Sequence, residues 1–112
     1  MSDFREADWK ILRELAKVAL ERFCKRVLDE AGPIVGDSEG QSGNYHKRYL
    51  ALYKLIHRRD DELAFTFNDL KRSMARFQLA SMWRLQLLTE EEFMRFSQET
   101  RDAVQSMLAL EI

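Results

Sequence analysis

Few side chains in this chain have the types and the spacing that catalysis or metal binding requires. The two histidines, His46 and His57, are eleven residues apart, which on a helix means roughly 16 Å along the axis, too far to share a metal ion. The only cysteine, Cys24, cannot form an intrachain disulfide and has no histidine near it in sequence to act as a base. Neither Glu-x-x-His nor His-Glu-x-x-His occurs. We therefore expect no enzyme activity, no cofactor and no metal site, and we expect Cys24 to be a small buried hydrophobe.

The length and composition indicate one ordinary globular domain that spans residues 1–112. The chain has 46% hydrophobic and 33% charged residues, a net charge of −1 and a pI near 6.1, which argues against a surface that coats nucleic acid or anionic membrane as a whole. The N-terminal residues resemble neither a secretory signal nor a transit peptide. No apolar run reaches the roughly 18 residues of a membrane span. The expected location is the cytoplasm.

Charge is distributed unevenly along the chain. Residues 1–43 carry 7 Lys+Arg against 9 Asp+Glu, residues 44–88 carry 9 against 4, and residues 89–112 carry 2 against 6. The middle segment is therefore basic and the last one acidic. The candidate anion-binding or nucleic-acid-binding face of the middle segment consists of Lys47, Lys54, Arg58, Arg72 and Arg76. The alternative is an ordinary solvated face, partly balanced by the C-terminal acids. A helix-turn-helix at 89–110 is excluded by the negative charge of that segment.

Breakers and capping signals divide the chain into an all-α, compact bundle of four to five helices. The first helix is expected at about residues 3–31, with Asp3 as its N-cap and Gly32–Pro33 as its end. All four glycines and the only proline lie in 32–43, which we predict to be a long loop, either functional or disordered. The last helices are expected at 90–96 and 98–110. A capping box of Thr89 with Glu92 precedes the former, and Ser97 is a candidate cap for the latter.

The stretch from 44 to 88 has neither glycine nor proline and must be helical. One helix of this length would extend roughly 67 Å, so we predict two helices, at about 44–60 and 66–88. The break is expected between Arg59 and Asn68, where the charged run 58–62 interrupts the apolar rhythm, and Thr66 or Asn68 is the candidate cap of the second helix. A single continuous helix is the alternative. The stripe that begins with Tyr45, Tyr49 and Ile56 is predicted to face the core.

A second apolar stripe lies opposite the first on the predicted 66–88 helix. Its members, which form the candidate partner interface, are Phe65, Leu79, Trp83 and Leu87. Large aromatic residues beside arginines are typical of the centre of protein interfaces, although the C-terminal helix could instead cover this stripe within the monomer. The sequence thus favours a non-enzymatic regulatory or adaptor-like protein that binds a protein partner or itself, with a homodimer as the default. A nucleic-acid-binding regulator that uses the basic face is the alternative, and an enzyme with a cleft beside the 32–43 loop is a third class.

Overall fold

The computed structural model describes residues 4–36 and 43–110, and it confirms an all-α fold. Of these residues 81% are helical and none forms a strand. The helices are α1 (Glu6–Val35), α2 (Tyr45–Phe67), α3 (Ala75–Arg84), α4 (Glu90–Phe93) and α5 (Gln98–Ala109), and a 3-10 turn at Arg72–Met74 precedes α3. The molecule measures 57 × 27 × 23 Å. Its long dimension follows the hairpin that α1 and α2 form.

The apolar core lies where the N-terminal two-thirds of α1 meets the last three helices. Its largest fully buried apolar side chains are Leu12, Leu79, Met82, Leu87, Phe96 and Val104. Trp9 packs against this core and is half-buried. Burial is much sparser in α2, where only Leu55 and Thr66 of 23 residues are buried, compared with eight of 30 in α1.

The end of α1 differs from the prediction. The helix continues through Gly32 and Pro33 to Val35, and the Gly36 N–H donates to the Gly32 carbonyl at 2.7 Å. Proline removes one helical hydrogen bond, but Arg48 of α2 donates to the carbonyls of Ile34 and Val35 at 3.0 and 2.6 Å and holds the last turn in place. The predicted N-cap Asp3 and the loop segment 37–42 lie outside the described residues. The N-cap position is occupied by Arg5, without a side-chain cap.

The break in the 44–88 stretch comes after Phe67, at the C-terminal edge of the predicted interval 59–68 and not at the charged run. Arg59 bonds Glu30 of α1 as well as Glu62, so the charged run stays helical instead of interrupting α2. Thr66 does not cap a helix; it lies fully buried inside α2 and its hydroxyl is 2.6 Å from that of Ser81. The chain turns after Phe67, where Asp69 has a φ of 55°. The next helix, α3, begins at Ala75 rather than at residue 66 and ends at Arg84 rather than at residue 88, so it is shorter than predicted.

The capping signals near the C-terminus are confirmed. The Thr89 hydroxyl accepts from the Glu92 N–H at 3.1 Å, and the Glu92 carboxylate accepts from the Thr89 N–H at 2.9 Å. The helix that they start is one turn long, and a non-helical turn separates it from α5. Ser97 caps α5 by accepting from the Thr100 N–H at 3.3 Å. No helix in the described ranges is both long enough and apolar enough to cross a membrane.

Candidate protein-interaction surface

The predicted interface stripe does not form a surface. Leu79 and Leu87 are 0% and 1% exposed in the core, and the half-buried Trp83 stacks on Phe93 with ring centroids 4.2 Å apart. α3 packs on α5, and these contacts agree with the alternative that the C-terminal helices cover much of this stripe within the monomer. Phe65 alone remains open to solvent, 55% exposed on α2.

The predicted basic face is divided between two parts of the molecule. Lys47, Lys54 and Arg58 are exposed along α2, and no hydrogen bond or ion pair within the described ranges involves them. Arg72 instead lies beyond the end of α2, where it donates to the carbonyl of Phe4 and to Glu6, both at 2.8 Å. Arg76 is half-buried on α3 and has an interaction partner of its own. The five residues therefore do not form one continuous anion-binding surface.

Two arginines of α1 form hydrogen bonds to the segment between α3 and α4 and to α4 itself. Arg22 donates to the Leu87 carbonyl at 2.8 Å and to both carboxylate oxygens of Glu92, at 2.7 and 3.0 Å. This pairing raises the pKa of Arg22 and, helped by the Thr89 N–H, lowers the pKa of Glu92 to about 2. Arg26 bonds the next carbonyls, those of Leu85 and Gln86. The guanidinium groups of Arg22 and Arg26 thus satisfy backbone carbonyls that follow α3.

The largest unexplained feature is a row of exposed apolar side chains on one side of the hairpin, which we call the hairpin face. Its members and exposed fractions are Leu28 (69%), Val35 (61%), Tyr45 (69%), Tyr49 (62%) and Ile56 (44%). The three α2 residues project within about 40° of one another, and the two α1 residues within about 20°. These three α2 residues were predicted to face the core, and that prediction is wrong for them, whereas Leu63 and Phe67 of the same predicted stripe do pack against the core. The side of α2 that faces α1 is instead the line of Arg48, Leu55, Arg59 and Thr66, rotated by about 60–80°.

Three concavities follow the hairpin face between α1 and α2. The tip hollow, of about 180 Å³, lies at the connected end of the hairpin, where α1 ends and α2 begins, and it is lined by Ile34, Val35, Tyr45, Arg48, Tyr49 and Leu52. Next is the middle pocket, of about 230 Å³, lined by Phe23, Cys24, Val27, Leu28, Ile56, Arg59, Asp60 and Leu63. Last comes the base groove, of about 490 Å³, lined by Lys10, Arg13, Glu14, Ala16, Lys17, Leu20, Phe67 and Leu70. By helical spacing all three open to the same side.

The base groove combines an apolar floor with a cationic wall. Lys10, Arg13 and Lys17 are exposed and project within about 60° of one another on α1. Among the described residues none of the three takes part in a hydrogen bond or an ion pair, whereas the neighbouring Glu14 lies 3.4 Å from Arg95. These cations were not singled out from the sequence, because the segment 1–43 is acidic overall.

Two charged side chains line the middle pocket, Arg59, which is paired with acidic residues, and the exposed Asp60. Arg59 donates to Glu30 at 2.9 and 2.8 Å and to Glu62 at 2.9 Å; these bonds raise the pKa of Arg59, and its bond to Glu30 lowers the pKa of that carboxyl. Cys24, predicted to be buried, is half-buried on this pocket. The pocket is therefore an apolar hollow that an apolar side chain could fill.

Both histidines lie on α2. No group of three or more His, Cys, Asp or Glu residues within 4–36 and 43–110 could hold a metal ion. His57 stacks on Tyr53 with ring centroids 5.8 Å apart, and His46 is exposed on α2. At the described edge of the 32–43 loop, the tip hollow has one charged side chain, Arg48, and its donors are bonded to backbone carbonyls.

Comparison with known proteins gives no further assignment, since no protein-family model matches the chain and neither a curated protein nor a solved structure is significantly similar to it.

Proposed function

We propose that this protein is a non-enzymatic, adaptor-like interaction protein that self-associates through the hairpin face. The observation that carries the proposal is the exposure of Tyr45 and Tyr49, each more than 60%, beside the exposed Leu28, Val35 and Ile56. Tyrosine at such a position gives a large contact area at low entropic cost, and tyrosine is enriched at protein interfaces. The interface predicted from sequence on α3 is thereby replaced by one on the hairpin.

The size of the surface fits a homodimer of moderate affinity. The five side chains present on the order of 600 Å² of accessible surface per chain, the upper end of what monomers expose in one patch. A two-fold contact between such faces would bury about 1,200 Å² in total, the lower limit of specific, stable interfaces. Because association also costs translational and side-chain entropy, we expect a dissociation constant in the micromolar range.

Sedimentation equilibrium over a range of about 1–500 µM tests the proposal. Wild-type protein is expected to shift from monomer to dimer, and Tyr49→Glu is expected to remain monomeric because it places a charge in the apolar contact. Phe65→Glu is the matched control, since Phe65 is also an exposed aromatic residue of α2 but lies on the opposite side of the helix. Circular dichroism verifies that both variants fold. A wild-type monomer at the highest concentration, or equal loss of dimer in both variants, would refute the proposal.

A second candidate function is nucleic-acid binding by the outer face of α2. It is supported by the exposure of Lys47, Lys54 and Arg58, which project within about 40° of one another over roughly 16 Å of helix. Three phosphate contacts predict that log K falls with log salt with a slope of about −3 on duplex DNA. Replacing all three by glutamate should abolish this binding, whereas Lys71→Glu should not. Binding to mixed-sequence DNA and RNA that is absent or insensitive to salt would eliminate this candidate.

A further inference from the structure

We infer that two copies pack their hairpin faces antiparallel about a two-fold axis at the middle pocket, so that the tyrosine tip of each copy lies in the base groove of the other. The inference rests on the proposed function, because it assumes that the hairpin face binds a second copy. Beyond that function it specifies the orientation of the two copies, and it identifies the base groove as the binding site for the tyrosines of the other copy.

The positions of the three concavities carry the first step. On α1, Cys24 lies eleven residues from Arg13 of the base groove and eleven residues from Val35 of the tip hollow. On α2, Ile56 lies eleven residues from Tyr45 and eleven from Phe67. Both midpoints line the middle pocket. A two-fold axis through that pocket, perpendicular to the helices, therefore places tip opposite base on both helices, each roughly 16 Å from the axis.

The chemistry of the two ends is complementary. The tip presents two exposed tyrosine rings, and the base groove has an apolar floor that includes Leu20 and Phe67. Lys17 and the other two cations at its wall can lie over an aromatic face or donate to a phenol oxygen. Burial of the rings supplies affinity, and the cations add preference for an aromatic occupant.

Electrostatics selects the antiparallel orientation over the parallel one. A two-fold axis parallel to the helices would bring both copies of Lys10, Arg13 and Lys17 to the same end of the dimer. Six cations without acidic partners would then repel one another at short range. In the antiparallel dimer the two cationic triads lie about 33 Å apart along the hairpin axis, several Debye lengths at physiological ionic strength. Repulsion between the two triads is then negligible, and the tip that meets each triad brings one cation to its hollow, Arg48, whose donors are bonded to the carbonyls of Ile34 and Val35.

Cross-linking through single cysteines tests the orientation, at concentrations where sedimentation shows dimer. Antiparallel α1 helices would pack at the interaxial distance of about 8–10 Å, so a bifunctional maleimide with a spacer of that length should link Cys24 to Cys24 in the wild type. In a Cys24→Ser background, a mixture of Val35→Cys and Arg13→Cys proteins should yield the hetero-linked dimer. The matched control replaces Arg13→Cys by Lys25→Cys, because Lys25 is exposed on the outer side of α1.

The charge of the groove provides an independent measurement. Lys17→Glu should raise the Kd of the dimer about two- to five-fold, the effect of losing one exposed cation–π contact. Lys25→Glu should leave the Kd unchanged. The antiparallel arrangement is overturned if Val35→Cys cross-links to Lys25→Cys as readily as to Arg13→Cys. It is also overturned if Lys17→Glu does not change the Kd. Neither result contradicts self-association. A protein that never dimerises overturns the proposed function itself.

Discussion

Replacement of Asp8 by asparagine is expected to destabilise the fold strongly. Asp8 is a buried carboxylate of α1, 2% exposed, and it joins that helix to the first turn of α5. One of its oxygens accepts from the Ser97 N–H at 2.9 Å, and the other accepts from the hydroxyls of Ser97 and Thr100, both at 2.7 Å. The carboxylate thus satisfies the α5 terminus from a distance of 89 residues in sequence.

The magnitude follows from the bonds that asparagine cannot accept. In Asp8→Asn an amide N–H₂ replaces the oxygen that accepts from two hydroxyls, while the bond to the Ser97 N–H can persist. A hydrogen bond to a charged group contributes about 1.5–3 kcal/mol, against about 1 kcal/mol for a neutral one, so we expect a loss of about 2 kcal/mol. At about 2.1 cal/mol/K of unfolding entropy per residue, this lowers the Tm by about 9 °C.

The effect should depend on pH in a defined direction. Burial alone would raise the pKa of Asp8, but the hydrogen bonds from Ser97 and Thr100, together with the charge of Arg5, outweigh it and hold the pKa below the ordinary value of 3.8. A carboxyl with a lower pKa in the folded state stabilises the fold above its unfolded pKa, and this contribution disappears as the pH falls through the folded value. Because asparagine does not titrate, the deficit of Asp8→Asn is complete at pH 7 and shrinks below about pH 4.

Urea denaturation followed by circular dichroism at pH 7 and at several values below pH 4 measures both effects. Asp61→Asn is the matched control, because Asp61 is an exposed carboxylate of α2, and its replacement should change the free energy of unfolding by less than about 0.5 kcal/mol. A deficit at pH 7 no larger than that of Asp61→Asn would refute the assignment of Asp8 as a buried tie. A deficit that grows as the pH falls would refute the pKa argument.

Three further predictions concern contacts between helices. Arg22→Met should raise the pKa of Glu92 from about 2 towards its ordinary 4.5, seen by NMR titration. Because that carboxyl stabilises the fold above its unfolded pKa, loss of the Arg22–Glu92 pair should cost about 1 kcal/mol at pH 7 and nothing as the pH approaches 2, whereas loss of the bond to the Leu87 carbonyl has the same cost at every pH. Thr66→Val leaves the Ser81 hydroxyl unpaired and should cost about 1–3 kcal/mol in urea denaturation. Adding Ser81→Ala should cost less than the sum of the single changes. Arg48→Met should cost about 1–2 kcal/mol and accelerate amide hydrogen exchange in the last turn of α1.

Each of these predictions has an outcome that contradicts it. An unchanged Glu92 pKa in Arg22→Met would mean that the backbone N–H of Thr89, not the guanidinium, controls that carboxyl. Strict additivity of Thr66→Val and Ser81→Ala would show that the two hydroxyls do not interact. Exchange that accelerates all along α1 in Arg48→Met, rather than at its end, would indicate a global loss of stability.

Signals that act over a few residues were readable from the sequence. The Thr89–Glu92 capping box and the Ser97 cap each join groups three residues apart, so no distant contact is needed to form them. Likewise, the absence of glycine and proline between 44 and 88 correctly indicated helix over most of that stretch. The helical class of the fold followed from such local preferences.

Positions of breaks were decided by contacts that are distant in sequence. Gly32–Pro33 is a strong local stop, yet Arg48 satisfies the carbonyls beyond it and the helix continues to Val35. In the same way, Glu30 pairs with Arg59 and keeps the charged run 58–62 within α2. A capping or breaking signal is worth about 1–3 kcal/mol, which a few cross-helix hydrogen bonds can offset.

The sequence by itself determined that the 44–88 stretch carries one apolar stripe along its length and a second one in its later part, but not which of them would be covered. Helical periodicity gives the angle between two stripes and says nothing of what packs on either. Only the tertiary structure decided that Leu79 and Leu87 are buried in the core and that Trp83 stacks on Phe93, while no described element covers Tyr45 and Tyr49 on the hairpin. The physical reason is that burial depends on the position of a neighbouring element, which no local pattern specifies.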